Sequence, residues 1–358
     1  MTKSFAGERV LPLLALLLAF SLTPVAHAAE MEGAKAGGAK EQAQRQLTQP
    51  GNNAPFYRDV REGANPYQTT QVRGVETNIL VQAGGQEWRQ LRPPVALAGG
   101  LLIVLALLVV FAYYSWRGPI GVHDRPTGKL IKRFSDAERF THWTVAISFS
   151  ILAITGLLIA YGKYIVLPII GYTLFSWVAI FAKNLHNFVA PVFICGLPVI
   201  VVLFIRDNFW ERGDLKWTLD LGGLFSRTGE PPSGRFNLGE KVLFWWMTCV
   251  LGAGLAVSGA VMLFPNFEQG RALMQTMNIV HIACAVVMIF LACFHIFLGT
   301  IGTKGAYEGM RTGYVDETWA KEHHQLWYEA VKAGKAREQF ADDAPTDVRS
   351  QVAQGLKA

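Results

Sequence analysis

The run MNIVHIACAVVMIFLACFHIFLGTI, Met277 to Ile301, decides how this chain is read. It holds 25 residues without Asp, Glu, Lys or Arg, more than the ~20 an α-helix needs to cross a hydrocarbon core. Inside it stand two histidines, His281 and His295. Ionisable side chains in a span are costly and point to function by default. The two lie 14 residues apart, roughly 21 Å of rise and within about 40° of the same face. One helix thus offers one imidazole near each membrane surface.

The rest of the chain agrees with a lipid-buried reading. Of 358 residues 51% are hydrophobic and only 17% charged, against about 25% charged in soluble domains. Further spans are read at 94–114, 141–161, 185–205 and 242–264, the first closed by Tyr113, Tyr114 and Trp116 as interfacial anchors. Lys3 and Arg9 before the apolar run Val10 to Phe20, with Ala26-His27-Ala28 behind it, read as a signal peptide over residues 1–28, an uncleaved anchor being the alternative. Residues 29–92, polar and rich in Gly, Gln and Ala, are expected to be an exported, poorly ordered segment. Residues 93–116 then form an extra N-terminal transmembrane helix, 117–303 a four-helix membrane domain, and 304–358 a cytoplasmic tail.

Charge sets the orientation. Residues 115–141 hold six Lys/Arg and residues 206–241 another six, while the opposite loops hold Lys163 and Lys183 in one and Arg271 in the other. The positive-inside bias places both rich loops in the cytoplasm. The apolar stretch 164–182 is then expected to lie at the outer interface without crossing. The formal net charge of +6 is explained by these loops and requires no nucleic acid. Cys195, Cys249, Cys284 and Cys293 all sit in apolar runs without a CxxC or CxxCH, which leaves iron–sulfur, structural zinc and covalent c-type haem without their ligand patterns.

This topology puts His186, at the start of its span, at the outer level with His281, and His142 at the inner level with His295. Two bis-histidine sites stacked across a bilayer suit two b-type haems passing electrons. A proton relay would want carboxylates beside the histidines, and the spans contain essentially none. Gly156, fourteen after His142, could admit a porphyrin edge. Gly196, Gly252, Gly254 and Gly259 read as close-packing positions, and Arg206 as a topology-setting charge. His323-His324, with Trp319 and Trp327 around them, are expected on one face of a surface helix packed on the loops.

The strings Arg139-Phe140-Thr141-His142-Trp143, Leu185-His186-Asn187-Phe188, Asn237-Leu238-Gly239-Glu240-Lys241 and Trp319-Ala320-Lys321-Glu322-His323-His324, with His281 and His295, resemble the cytochrome b gamma subunit of membrane-bound respiratory formate dehydrogenase. The resemblance covers about residues 130 to 335 and leaves the N-terminal extension unexplained. It implies an all-α integral membrane protein, a four-helix di-haem cytochrome b bundle plus the one extra transmembrane helix. It also implies residence in the bacterial cytoplasmic (inner) membrane, with the mature N-terminus periplasmic and the C-terminus cytoplasmic. The implied partners are an iron–sulfur beta subunit and a molybdenum or tungsten alpha subunit, and the acceptor is menaquinone or ubiquinone. Asn237 and Gly239 occupy the positions that help to bind quinone in that family; by the residues alone this loop is an ordinary helix N-cap. A cytochrome b subunit of a nickel–iron hydrogenase or thiosulfate reductase complex, or a non-redox membrane anchor, are the competing readings.

Overall fold

The computed structural model describes residues 83–223, 231–265, 267 and 269–357. The expected signal peptide and the exported segment up to residue 82 lie outside the described residues. Helix α1 spans Ala83–Arg117, so it begins ten residues before the boundary drawn at 93, with Pro93 and Pro94 inside it. A proline pair removes two helical hydrogen bonds, but the turn before it is held from outside. The Trp88 indole N–H donates to Asn278 Oδ1 at 3.1 Å.

Helix α2, Asp136–Ile165, opens on a reciprocal cap between Ser135 and Glu138, which satisfies two of the otherwise orphaned N-terminal donors. Helix α3 covers Leu167–Phe204, and a short α4 follows at Arg212–Leu219. The next crossing is composite: α5 at Leu238–Leu243, a π-helical segment at Phe244–Gly252, and α6 at Ala253–Leu263. Helix α7, Arg271–Phe297, runs into a second π segment at Leu298–Gly302. Beyond it lie α8 (Ala306–Thr312), α9 (Glu317–His323), α10 (Gln325–Lys332) and α11 (Thr346–Lys357). Strands β1, Leu130–Lys132, and β2, Tyr314–Asp316, pair antiparallel with Leu130 opposite Asp316. The chain is therefore an all-α integral membrane protein, with five helical stretches among the described residues long and apolar enough to cross a membrane. Their outward faces are apolar, as at Ile154 and Val202, 68% and 73% exposed, which lipid rather than water accommodates.

The stretch 164–182 departs from expectation. From Leu167 onward it is the first part of α3 rather than a separate interfacial structure, within one continuous apolar helical stretch that reaches Asn208. No Gly or Pro interrupts residues 172–190, so nothing stops the helix from running on. The single break is Gly171, at φ 75° and ψ 171°, a conformation that a side chain would oppose.

The two basic loops and the tail meet on one side of the bundle. Ile120 bridges to Thr303 and Ile131 to Phe340. Ile131, Val315, Trp319, Trp327, Val331 and Leu356 form a buried core there. The bundle carries its own apolar cluster around Phe193, Leu197, Leu251 and Met288. Helix α1 lies against α7 so closely that a Cβ at Gly99 would stand 2.4 Å from Val286 Cγ1.

Candidate functional site

The four intramembrane histidines meet in two pairs. His142, two turns into α2, faces His295 in the last turn of α7, with ring centroids 6.1 Å apart and planes at 59°. His186, within α3, faces His281 of α7 at 6.2 Å and 68°. A metal held about 2 Å from one nitrogen of each of two opposed imidazoles leaves their centroids roughly 6 Å apart. Both pairs fit a haem iron with two axial histidines. Among the described residues no group of three or more His, Cys, Asp or Glu is placed to hold a metal ion, which disfavours zinc.

The pair of His186 and His281 is backed by hydroxyls. Thr155 of α2 lies 2.9 Å from His186 Nδ1, and Ser258 of α6 lies 3.0 Å from His281 Nδ1. The glycine after each hydroxyl leaves room for the same ring: a Cβ at Gly156 would come within 3.4 Å of His186 Cε1, and one at Gly259 within 3.3 Å of His281 Cε1. Gly156 therefore faces an imidazole, and Gly259, expected as a packing residue, does so too. Gly196, Gly252 and Gly254 do pack on neighbouring side chains, Val145, Leu197 and Cys284. Sequence reasoning does not reach Thr155 and Ser258. Their one signal is that a hydroxyl residue precedes a glycine in each of two spans. In the other pair, by contrast, His142 Nδ1 is buried with no hydrogen-bond partner among the described residues.

Asn237 and Gly239 sit where the loop after α4 enters α5. Asn237 acts as the N-cap: its Oδ1 accepts from the Glu240 N–H at 2.9 Å, and its own N–H donates to Glu240 Oε2 at 2.8 Å. The indole of Trp217 lies over Gly239, where a Cβ would meet Trp217 Cη2 at 2.9 Å and Asn237 Oδ1 at 3.2 Å. Trp217 is thus a further residue of this corner, and its Nε1 is buried without a hydrogen bond among the described residues. Arg206 is exposed at the end of α3, as a topology-setting charge would be.

Beneath the inner pair a charged lattice ties the helix ends together. Arg235 reaches Glu138 at 3.0 Å, Asp207 at 2.5 Å and Glu338 at 2.9 Å, joining the start of α2, the end of α3 and the tail. Trp143, next to His142, donates to the Met310 carbonyl at 3.3 Å. His323 and His324 are buried, 4% and 2% exposed, and do not share one surface helix. The backbone turns at His324, φ −140° and ψ 57°, between α9 and α10. The turn lets the imidazole enter the interface between tail and loops, with the Trp319 and Trp327 rings beside it.

Residues 133–313 match the family described as prokaryotic cytochrome b561. The nitrate-inducible formate dehydrogenase cytochrome b556(Fdn) subunit of Escherichia coli strain K12 is 25% identical over 215 residues, covering 59% of this chain and 96% of that one. The formate dehydrogenase cytochrome b556(fdo) subunit of the same strain is 27% identical over 205 residues, 56% and 93% of the two chains. The formate dehydrogenase cytochrome b556 subunit of Haemophilus influenzae is 24% identical over 217 residues, 60% and 88%.

Proposed function

The chain belongs to the prokaryotic cytochrome b561 family, and from that premise we propose that it is the di-haem cytochrome b subunit of a formate dehydrogenase complex, carrying electrons from formate oxidation across the bacterial inner membrane to a quinone. The observation that carries this reading is the pairing of four histidines at two depths, with ring centroids 6.1 and 6.2 Å apart. Two haem b groups, when bound, supply one-electron carriers near each membrane surface. His186 and His281 would hold the haem on the periplasmic side, and His142 and His295 the one on the cytoplasmic side.

Orientation follows from the basic loops, which together with the tail occupy one side of the bundle and face the cytoplasm by the positive-inside bias. Formate is oxidised on a molybdenum or tungsten alpha subunit and an iron–sulfur beta subunit delivers the electrons; the names of the similar chains support a formate dehydrogenase assembly. At the cytoplasmic end the corner of Asn237, Gly239 and Trp217 binds menaquinone or ubiquinone. There the Asn237 amide donates to a quinone oxygen while its Oδ1 holds the cap of α5.

Haem content tests the assignment. His186→Ala and His281→Ala are each expected to lose the same b-type component, and His142→Ala and His295→Ala the other, so that haem per chain drops from two toward one. Retention of two haems in all four variants would overturn the ligand assignment, and a purified wild-type protein without b-type absorbance would leave only a membrane anchor.

A further inference from the structure

The two histidine pairs are not equivalent, and the difference lies in what their second ring nitrogens touch. On the outer pair, the Thr155 hydroxyl donates its proton to the Ile151 carbonyl at 2.7 Å, and the Ser258 hydroxyl donates to the Gly254 carbonyl at 2.5 Å. With its proton committed, each oxygen faces the imidazole as an acceptor. A second backbone carbonyl stands within reach of each hydroxyl, Leu152 at 3.2 Å from Thr155 and Leu255 at 3.4 Å from Ser258, and a carbonyl can only accept. Both outer imidazoles therefore carry their proton on Nδ1, and the Nε2 lone pair is left free for a metal. The arrangement is doubled on two helices, Thr155-Gly156 on α2 and Ser258-Gly259 on α6, with each glycine clearing space beside the ring its neighbour holds. Nothing equivalent among the described residues reaches Nδ1 of His142 on the inner pair.

An acceptor on the far nitrogen makes an axial imidazole a stronger electron donor, and a stronger donor favours the oxidised metal. We infer that Thr155 and Ser258 are positioning residues that set the ligand tautomer at the outer site and make it the lower-potential of the two, so that electron transfer from the outer to the inner side runs downhill. This rests on the di-haem reading proposed above and assigns the direction of flow to two hydroxyls that touch neither substrate nor metal.

The test is a potentiometric measurement on the purified complex, following the two b-type components by their optical bands. The outer component is identified as the one lost in His186→Ala. Wild type is expected to show the outer component at the lower potential. Thr155→Val and Ser258→Ala should each keep two haems per chain and raise that component alone, by roughly tenfold in the reduction equilibrium, about 59 mV for a one-electron couple. Thr155→Ser should restore the wild-type value, since it restores the acceptor; a purely structural role for Thr155 would not give that rescue. If Thr155→Val lost haem by misfolding, Ser258→Ala, which only removes an oxygen, decides. Two retained haems with both potentials unchanged in Ser258→Ala and Thr155→Val would overturn the inference while leaving the di-haem reading standing. A wild-type protein with fewer than two b-type components would instead overturn the di-haem reading.

Discussion

Arg133 and His324 show how a single buried contact dictates a protonation state. His324 Nδ1 lies 2.8 Å from the Gly234 carbonyl, which can only accept, while the Arg133 guanidinium, which can only donate, lies 3.0 Å from Nε2. The ring is therefore neutral with its proton on Nδ1. Burial, joined by the charge of Arg133, holds its pKa well below the usual value of 6.5; Arg235 and His323 act in the same sense, and Glu240 stands 4.0 Å from Nε2. Above pH 6.5 folded and unfolded tails are both neutral here and the group contributes no pH dependence. As pH falls below 6.5 the unfolded tail takes up a proton that the folded one refuses, so stability falls. Tryptophan emission from Trp319 and Trp327 is expected to report loosening of the tail between pH 7 and 5, with that slope lost in His324→Gln. A flat profile in wild type would show that His324 protonates without disturbing the tail. The four membrane histidines were legible in the sequence because an imidazole is costly to keep in an apolar run and stands out against it. Thr155 and Ser258 were not, because a hydroxyl in a spanning helix normally bonds the carbonyl one turn back, which both also do.

Among the elements, α4 depends on one buried ion pair. Lys241, in α5 at the start of the fourth apolar stretch, reaches Asp214 Oδ2 at 2.9 Å, with the two side chains 3% and 1% exposed, and Glu211 stands 3.5 Å away. Removing one partner of a buried pair leaves an uncompensated charge and costs about 3–5 kcal/mol. Lys241→Met is therefore expected to lower the denaturant midpoint in detergent by that measure, and the double variant Lys241→Met with Asp214→Leu to recover most of it. Equal losses in the single and double variants would mean that the pair is not what holds α4. Element existence was largely readable from apolar length: among the described residues, the five helical stretches long and apolar enough to cross a membrane each overlap a span read from the sequence. Their ends were less so. The turn of α1 before Pro93 depends on a hydrogen bond to a residue 190 positions away, and α3 absorbs a stretch whose continuation is decided by the absence of breakers rather than by any signal of its own.

At the scale of the whole molecule, the basic loops and the tail form one packed layer through Arg235, Arg337, Glu138, Asp207 and Glu338. A single cysteine at residue 220 and a tag after Ala358 should accordingly share a compartment, shielded from impermeant reagents in intact cells, whereas a cysteine at residue 270 should label from outside. Labelling at 220 in intact cells would invert the assignment of the two histidine pairs to membrane sides. The layer was only partly readable, since charge counting gives a side but not which arginine meets which carboxylate. The π segment at Phe244–Gly252 carries a different kind of consequence. Its i→i+5 bonds hold more residues per turn than an α-helix does, so it stores surplus chain inside a continuous rod. The stretch can therefore shed a residue by tightening to an α-helix, leaving Ser258 still turned toward His281. In the α-helical parts of the spans the same one-residue loss would swing every later side chain by about 100°. A one-residue change of length in this helix can therefore be taken up at Phe244–Gly252 without turning Ser258 away from His281.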